Sequence, residues 1–363
     1  MVHLYLETIQ GVGLVMIEIK QGNLLEEKTE ALVNTVNCVG VMGKGIALQF
    51  KQAFPDVFKQ YKKACDGGVV KPGQMFTVHT GELLNPRYII NFPTKRHWKG
   101  CSQLEDIQSG LVALVAEVEQ LGIQSIAVPP LGCGNGGLDW ELVKPLIVEA
   151  FVGLPDVLVH LFEPMGAPAV DEMKVATQKP NMTRSRALCI QLMDRYGMPG
   201  YRLSRVEIQK LAYFLQVVGE PLKLAYEKHH QGPYAHALNY LLQHIEGHFI
   251  RGYGDGTQAS AIHVLDEGRQ SALMVLAEDE EAQRRLTQVS DLIEGFETPY
   301  GMEMLATIHW VATQDGRAAI DPEVAIALVH AWSDRKRQLF KPNHLRKAWR
   351  RLKEQDWFVA ADF

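Results

Sequence analysis

Asn34-Thr35-Val36-Asn37-Cys38-Val39-Gly40-Val41-Met42-Gly43-Lys44-Gly45 is the stretch from which the fold is read. It closes a β-branched run, Ala31 to Val36, and opens a segment of helical periodicity, Gly45 to Cys65. The order is strand, glycine-rich turn, helix. Glycine lets backbone amides approach phosphate oxygens, and a helix N-terminus adds partial positive charge. The same order recurs once. The strand run Ser125 to Val128 leads into Pro129-Pro130-Leu131-Gly132-Cys133-Gly134-Asn135-Gly136-Gly137 and then the helical run Trp140 to Phe151. Two such loops could clasp a diphosphate from both sides. Neither matches GxxxxGK[ST] or GxGxxG, which argues against a nucleotide triphosphatase or a dinucleotide dehydrogenase.

Working outward, Leu14 to Ile19, Met75 to Val78, Tyr88 to Phe92 and Val157 to Phe162 read as further strands. Leu104 to Leu121 reads as a further helix, and Pro55 kinks or splits the first helical segment. Strands alternating with helices predict an α/β layered domain with a mixed or parallel sheet. Ligands of such sheets collect beyond the carboxyl ends of the strands.

Beyond residue 165 the texture changes. Glu163-Pro164-Met165-Gly166-Ala167-Pro168 and Lys179-Pro180-Asn181 mark a linker, and the boundary falls between residues 164 and 182. The organisation expected is residues 1–165, a linker at 166–182, and a mostly helical second domain at 183–363. Its helices are expected at Arg184 to Tyr196, Arg205 to Val218, Tyr234 to Ile245, Ala282 to Phe296, Gly301 to Thr313 and Pro322 to Trp332. Strand candidates are few there, Lys223 to Glu227 among them, and His230-Gln231-Gly232-Pro233-Tyr234-Ala235 reads as a turn opening a helix.

Bulk properties narrow the function. The 363 residues are 47% hydrophobic, enough for two cores. No apolar run reaches the roughly 18 residues that cross a bilayer, and no secretory pattern opens the chain. The five cysteines, Cys38, Cys65, Cys101, Cys133 and Cys189, show no metal or disulfide spacing, so a reducing cytoplasm is expected and no metal. A net charge of −5 excludes broad phosphate neutralisation as the main mode of binding, leaving a pocket or small patch for any nucleic acid.

A third motif carries the chemistry. In Asn91-Phe92-Pro93-Thr94-Lys95-Arg96-His97-Trp98-Lys99-Gly100 a strand end delivers Lys95 beside an aromatic, basic cluster. A lysine there either pairs with a bound phosphate or acts covalently on a ribose anomeric carbon. The second role needs a neutral amine, favoured by burial or by nearby cations such as Arg96 and Lys99. Asn34 and Asn37 sit where side-chain amides can meet ribose hydroxyls. Cys133 lacks a histidine base placed by the sequence and is not read as a nucleophile.

These motifs, with Gln21-Gly22-Asn23-Leu24-Leu25 before them, resemble the macrodomain family over residues 14 to 163. Within it they are most similar to the DarG-type antitoxins and the terminal ADP-ribose protein glycohydrolases. The resemblance implies a mixed sheet flanked by helices and removal of ADP-ribose from thymidine bases in single-stranded DNA, with no cofactor. Lys95 matches the catalytic lysine. Asn34, Thr35, Asn37, Gly43, Lys44 and Gly45 match the first ligand loop. Gly132, Cys133, Gly134, Asn135, Gly136 and Gly137 match the phosphate loop. Asn23 stands where many macrodomains hold adenine with an aspartate, and Gly136 stands where the protein glycohydrolases place a second acid. Arg96, His97, Trp98 and Lys99 are candidates for stacking a base and touching DNA phosphates. The second half resembles a helical antitoxin domain, implying a grip on the DarT toxin. Two alternatives stay open: a module that binds ADP-ribose without turnover, and a hydrolase acting on ADP-ribosylated protein carboxylates.

Overall fold

The computed structural model describes residues 4–5, 16–197 and 200–358. Two units emerge: Met1–Gln178 with Gly254–Gln258, and Lys179–Tyr253 with Ala259–Phe363. The break falls between Gln178 and Lys179, so residues 166–178 belong to the first unit.

Among the described residues the first unit holds seven strands: β1 (Leu4–Tyr5), β2 (Ile17–Lys20), β3 (Ala31–Asn37), β4 (Phe76–His79), β5 (Tyr88–Lys95), β6 (Ser125–Val128) and β7 (Leu158–Phe162). Its helices are α1 (Ile46–Ala53), α2 (Pro55–Asp66), α3 (Leu104–Leu121) and α4 (Trp140–Phe151). Pro55 splits the first helical segment as its sequence requires, because it sits at the first position of α2, where a missing N–H costs nothing. Residues 14–15 of the first expected strand lie outside the described residues.

The sheet runs β1-β2-β7-β6-β3-β5-β4. Its five inner strands are mutually parallel, while β1 and β4 are antiparallel edges. Alternation along β3 sorts the core into two faces. Ala31 and Val33 pack with Ile107, Leu114, Val143 and Ile147 of α3 and α4. Leu32 packs with Phe50 and Val57 of α1 and α2. Gly110 of α3 lies so close to Phe92 of β5 that a Cβ there would fall 2.2 Å from the ring. That contact seats the strand carrying Lys95.

Parallel pairing has a functional consequence. The carboxyl ends of β2, β7, β6, β3 and β5 share one edge, and β6, β3 and β5 are neighbours there. Both glycine loops and Lys95 therefore converge. The register of β3 on β5 slips at this edge: Val36 faces Pro93, but Asn37 faces Lys95. Thr94 is the extra residue, and its hydroxyl donates to the Val36 carbonyl at 3.4 Å.

The second unit comprises α5 (Arg184–Arg195), α6 (Arg205–Val217), β8 (Glu227–His229), β9 (Gly232–Tyr234), α7 (His236–Ile245), β10 (Ile250–Arg251) and β11 (His263–Val264). It continues with α8 (Asp266–Leu276), α9 (Glu280–Ile293), α10 (Pro299–Gln314), α11 (Gly316–Ile320), α12 (Pro322–Trp332), α13 (Asp334–Leu339) and α14 (Pro342–Glu354). Two expectations need correcting. The strand at Lys223 to Glu227 does not form; Lys223 has φ +55°, and pairing starts only at Glu227. The Gly232-Pro233-Tyr234 stretch is the return strand of that hairpin rather than a helix-opening turn. Its position is held by Lys210, whose buried ammonium donates to the Pro233 carbonyl at 2.6 Å.

Candidate active site

Asn37 builds the first loop. Its Oδ1 accepts from the amides of Val39 (3.0 Å) and Val41 (3.3 Å), and its Nδ2 donates to the Val41 carbonyl at 2.5 Å. Buried Tyr61 donates to the Asn37 carbonyl at 2.6 Å. Asn37 is thus spent on shaping residues 38–41. Asn34 lies deeper, fully buried, with its Nδ2 donating to Asn91 Oδ1 at 3.0 Å. Asn91 passes the contact on to the Phe76 carbonyl. The Asn34 Nδ2 is thus taken by a cross-strand amide contact, while its Oδ1 is buried without a partner. Thr35 sits half-buried inside β3, short of the loop.

After this turn Gly43 is half-buried, Lys44 is exposed, and Gly45 is buried at φ +65° as the N-cap of α1. No side chain caps α1. The amides of Ile46 and Ala47 begin a helix whose N-terminus therefore stays open to an anion.

The second loop differs. Asp139 caps α4 by accepting from the Glu141 amide at 3.0 Å. A carboxylate already occupies that helix end, which corrects the expectation that α4 adds positive charge to the site. The turn is closed by its own amides. Leu138 N bonds Gly132 O and Gly137 N bonds Gly134 O, which bends residues 132–138 into a nest. Gly134 and Asn135 are exposed within it. Gly136 is buried, and a Cβ there would lie 2.1 Å from the Gly132 carbonyl oxygen and 2.3 Å from Ser102 Oγ. No side chain fits position 136, so the acid that the protein glycohydrolases carry there has no room.

Lys95 ends β5 with a half-exposed side chain. Its ammonium donates to the Asn135 carbonyl, placing it against the second loop. Partial burial pulls its pKa below the ordinary lysine value, while Cys101 pulls it back up. Burial, not Arg96 or Lys99, does the lowering. Arg96 is turned to Asp106 through two contacts, 2.9 and 3.3 Å. Trp98 is half exposed, with the Lys99 ammonium 5.0 Å from its ring and His97 5.6 Å away. Burial pushes the Cys133 thiol up to about 11, so it carries no thiolate near neutral pH.

Asn23 follows β2 at the same edge. Its Oδ1 accepts from Leu25 N at 3.1 Å and its Nδ2 donates to the Glu172 carbonyl at 3.3 Å. An aspartate could not make the second contact, which accounts for the amide here. Among the described residues no cluster of His, Cys, Asp and Glu could hold a metal ion, and no helix is long and apolar enough to cross a membrane.

Sequence reasoning missed Ser102, for which the chain gives no signal. It also missed the ladder role of Asn91, for which a polar residue inside the apolar run Tyr88 to Phe92 was the available sign.

The Macro domain family matches residues 33–147. A DNA ADP-ribosyl glycohydrolase of Thermus aquaticus is 46% identical over 92% of this chain and 92% of its own length. A DNA ADP-ribosyl transferase–glycohydrolase fusion protein of Thermosipho africanus is 35% identical over 41% of this chain and 42% of its own. Among solved structures, the macrodomain of Mycobacterium tuberculosis DarG is 57% identical over 41% of this chain and 99% of that one, with a TM-score of 0.41. Shared identity across both halves carries the assignment: the chain belongs to the DNA ADP-ribosyl glycohydrolases, with a macrodomain as its first unit.

Proposed function

We propose that the first unit hydrolyses the bond between ADP-ribose and a thymidine base in single-stranded DNA, and that the second unit binds and silences a DarT-type toxin. The observation that carries the first reading is the Lys95 amine, lowered in pKa by burial and held against the second glycine loop at the edge where both loops meet. The open N-terminus of α1 and the turn amides of Gly134, Asn135 and Gly136 supply donors to a pyrophosphate from two sides.

In this reading, neutral Lys95 Nζ attacks the anomeric carbon C1″ of the distal ribose. The new C–N bond forms as the glycosidic bond to the base nitrogen breaks, and the base leaves with the bonding pair and takes up a proton. Water then hydrolyses the lysine adduct, returning free ADP-ribose and the amine. With no room for an acid at position 136, water or a substrate phosphate assists that second step. The face of Trp98 stacks a neighbouring base, and Lys99 lies near the strand. A cytoplasmic setting suits the five unpaired thiols. For the second unit, the support is the relative that joins a transferase and a glycohydrolase in one chain.

The test is incubation with an oligonucleotide ADP-ribosylated on thymidine, beside a peptide ADP-ribosylated on glutamate. Release from DNA alone is expected. Tight ADP-ribose binding without release from either substrate would reduce the protein to a binding module. Release from the peptide alone would move the substrate to protein.

A further inference from the structure

Five residues far along the chain belong to the first unit: Gly254–Gln258, with the chain on either side assigned to the second. The Asp255 carbonyl accepts from the Gly45 amide at 2.8 Å. The Asp255 carboxylate is buried and accepts from Gln49 Nε2 of α1 at 2.8 Å. It also accepts from the Thr257 amide at 2.9 Å and hydroxyl at 2.6 Å, which closes the segment into a tight Asx-type turn. Gly45 is the meeting point. A Cβ placed on it would lie 2.9 Å from Asn135 Nδ2 and 3.7 Å from Thr257 Cγ2. The second glycine loop and the distal segment thus approach the same backbone position, and Asn135 is also the residue whose carbonyl receives the Lys95 ammonium.

The segment does not stand alone. A Cβ on Gly254 would lie 3.0 Å from Val170 Cγ2, and the neighbouring Glu172 carbonyl holds Asn23. A continuous wall therefore runs along the strand ends from Asn23 to Gly45, built from residues beyond the stretch that matches the Macro domain family.

We propose that Asp255 is a positioning residue of the ADP-ribose site, acting through Gly45 to set the direction of the α1 amides, and that the Gly254–Gln258 turn is a wall of that site. This rests on the ADP-ribose reading given above. Gly45 sits at a positive φ, so its peptide is oriented by what its N–H meets. Asp255 supplies that acceptor from the backbone, and its carboxylate fixes the acceptor by gripping α1 one turn further on. The ligand-facing backbone of the first unit is then held by a residue that an isolated macrodomain would not contain.

The test uses the full chain. Asp255→Ala, Asp255→Asn and Gln49→Leu are compared with wild type for ADP-ribose affinity by calorimetry, for kcat and KM on the ADP-ribosylated oligonucleotide, and for melting temperature. Losing the carboxylate is expected to weaken ADP-ribose binding and raise KM by about tenfold, the effect of one buried hydrogen bond to a charged group, with kcat little changed. Asn at 255 still accepts from Thr257 and donates to a flipped Gln49, so it should recover most of the affinity. Gln49→Leu cuts the same latch from the other side and carries the test should Asp255→Ala fail to fold. A folded Asp255→Ala or Gln49→Leu variant that binds ADP-ribose as wild type does overturns the proposal. A wild type that binds no ADP-ribose overturns the underlying reading instead.

Discussion

Ser102 Oγ occupies the space that a side chain at position 136 would need, 2.3 Å from where its Cβ would be. The hydroxyl is buried without a hydrogen-bond partner, while the Ser102 amide donates to the Gly136 carbonyl at 3.0 Å. Introducing the missing acid as Gly136→Asp is therefore expected to lose activity rather than gain it. The Gly132 carbonyl cannot yield without unbending the nest, so the substitution should cost about 1–3 kcal/mol and most of the ADP-ribose affinity. Ser102→Ala removes a polar atom that bonds nothing and should leave the melting temperature unchanged or raised. Thermal melts and ADP-ribose titrations of the two variants check both statements.

Lys95→Ala should reduce release of ADP-ribose from the oligonucleotide by a factor on the order of 10³ or more without lowering the melting temperature, since the side chain is half exposed. The pH profile gives a sharper check. In the proposed mechanism the reactive form is the neutral amine, present above the lysine pKa, and burial moves that pKa below 10.5. Activity is therefore expected to rise with pH through a midpoint below the ordinary lysine value. Lys95→Arg stays charged throughout and should show no such limb.

Trp98 and the ligand loops should separate in their effects. Trp98→Ala is expected to raise KM for the ADP-ribosylated oligonucleotide roughly tenfold, as loss of one stacked base does, and to leave binding of free ADP-ribose unchanged. Equal loss for both ligands would move Trp98 from the DNA strand to the ADP-ribose pocket. Arg96→Ala should act through Asp106 on the start of α3 instead.

The second unit carries an acid-sensitive point. His309 is fully buried, its Nε2 lying 3.0 Å from the Trp357 carbonyl and its Nδ1 2.7 Å from Tyr213 Oη. The carbonyl can only accept, so Nε2 carries the proton and Nδ1 accepts from the tyrosine. Burial pushes the His309 pKa down to about 4. A depressed pKa means that the unfolded chain takes up a proton first as pH falls. Stability is full above about 6.5 and declines toward pH 4, by on the order of 3 kcal/mol from this group. Urea melts across that window should show the slope, and His309→Gln should flatten it.

Hydrophobic periodicity sufficed for most of the scaffold, because long amphipathic runs such as Leu104 to Leu121 leave one reading only. The meeting of Lys95 with both glycine loops was likewise legible, since parallel strands must send their carboxyl ends to one edge. What the chain did not disclose was division of labour inside the site. Asn34 and Asn37 look alike as amides near a strand end, yet one became a buried rung and the other a turn builder. Burial and a partner on another strand decided this, and neither is local. Lys223 to Glu227 failed as a strand because the Gln216 side chain takes both backbone groups of Leu224, at 2.9 Å each, and strand pairing begins only at Glu227. The Asp255 contact was beyond reach for the same reason, being set by a partner some 200 positions away.

The slipped register between β3 and β5 has a last implication. Side chains along a strand alternate between faces, so removing one residue turns every later one over. Thr94 is the spacer that decides which way Lys95 emerges, and its own hydroxyl mends the ladder it interrupts. Length is thus under tighter constraint than identity in this stretch. Replacing Thr94 by valine or serine would cost modest stability, whereas deleting it would turn the Lys95 amine to the opposite face and leave an intact fold without the activity proposed for that edge.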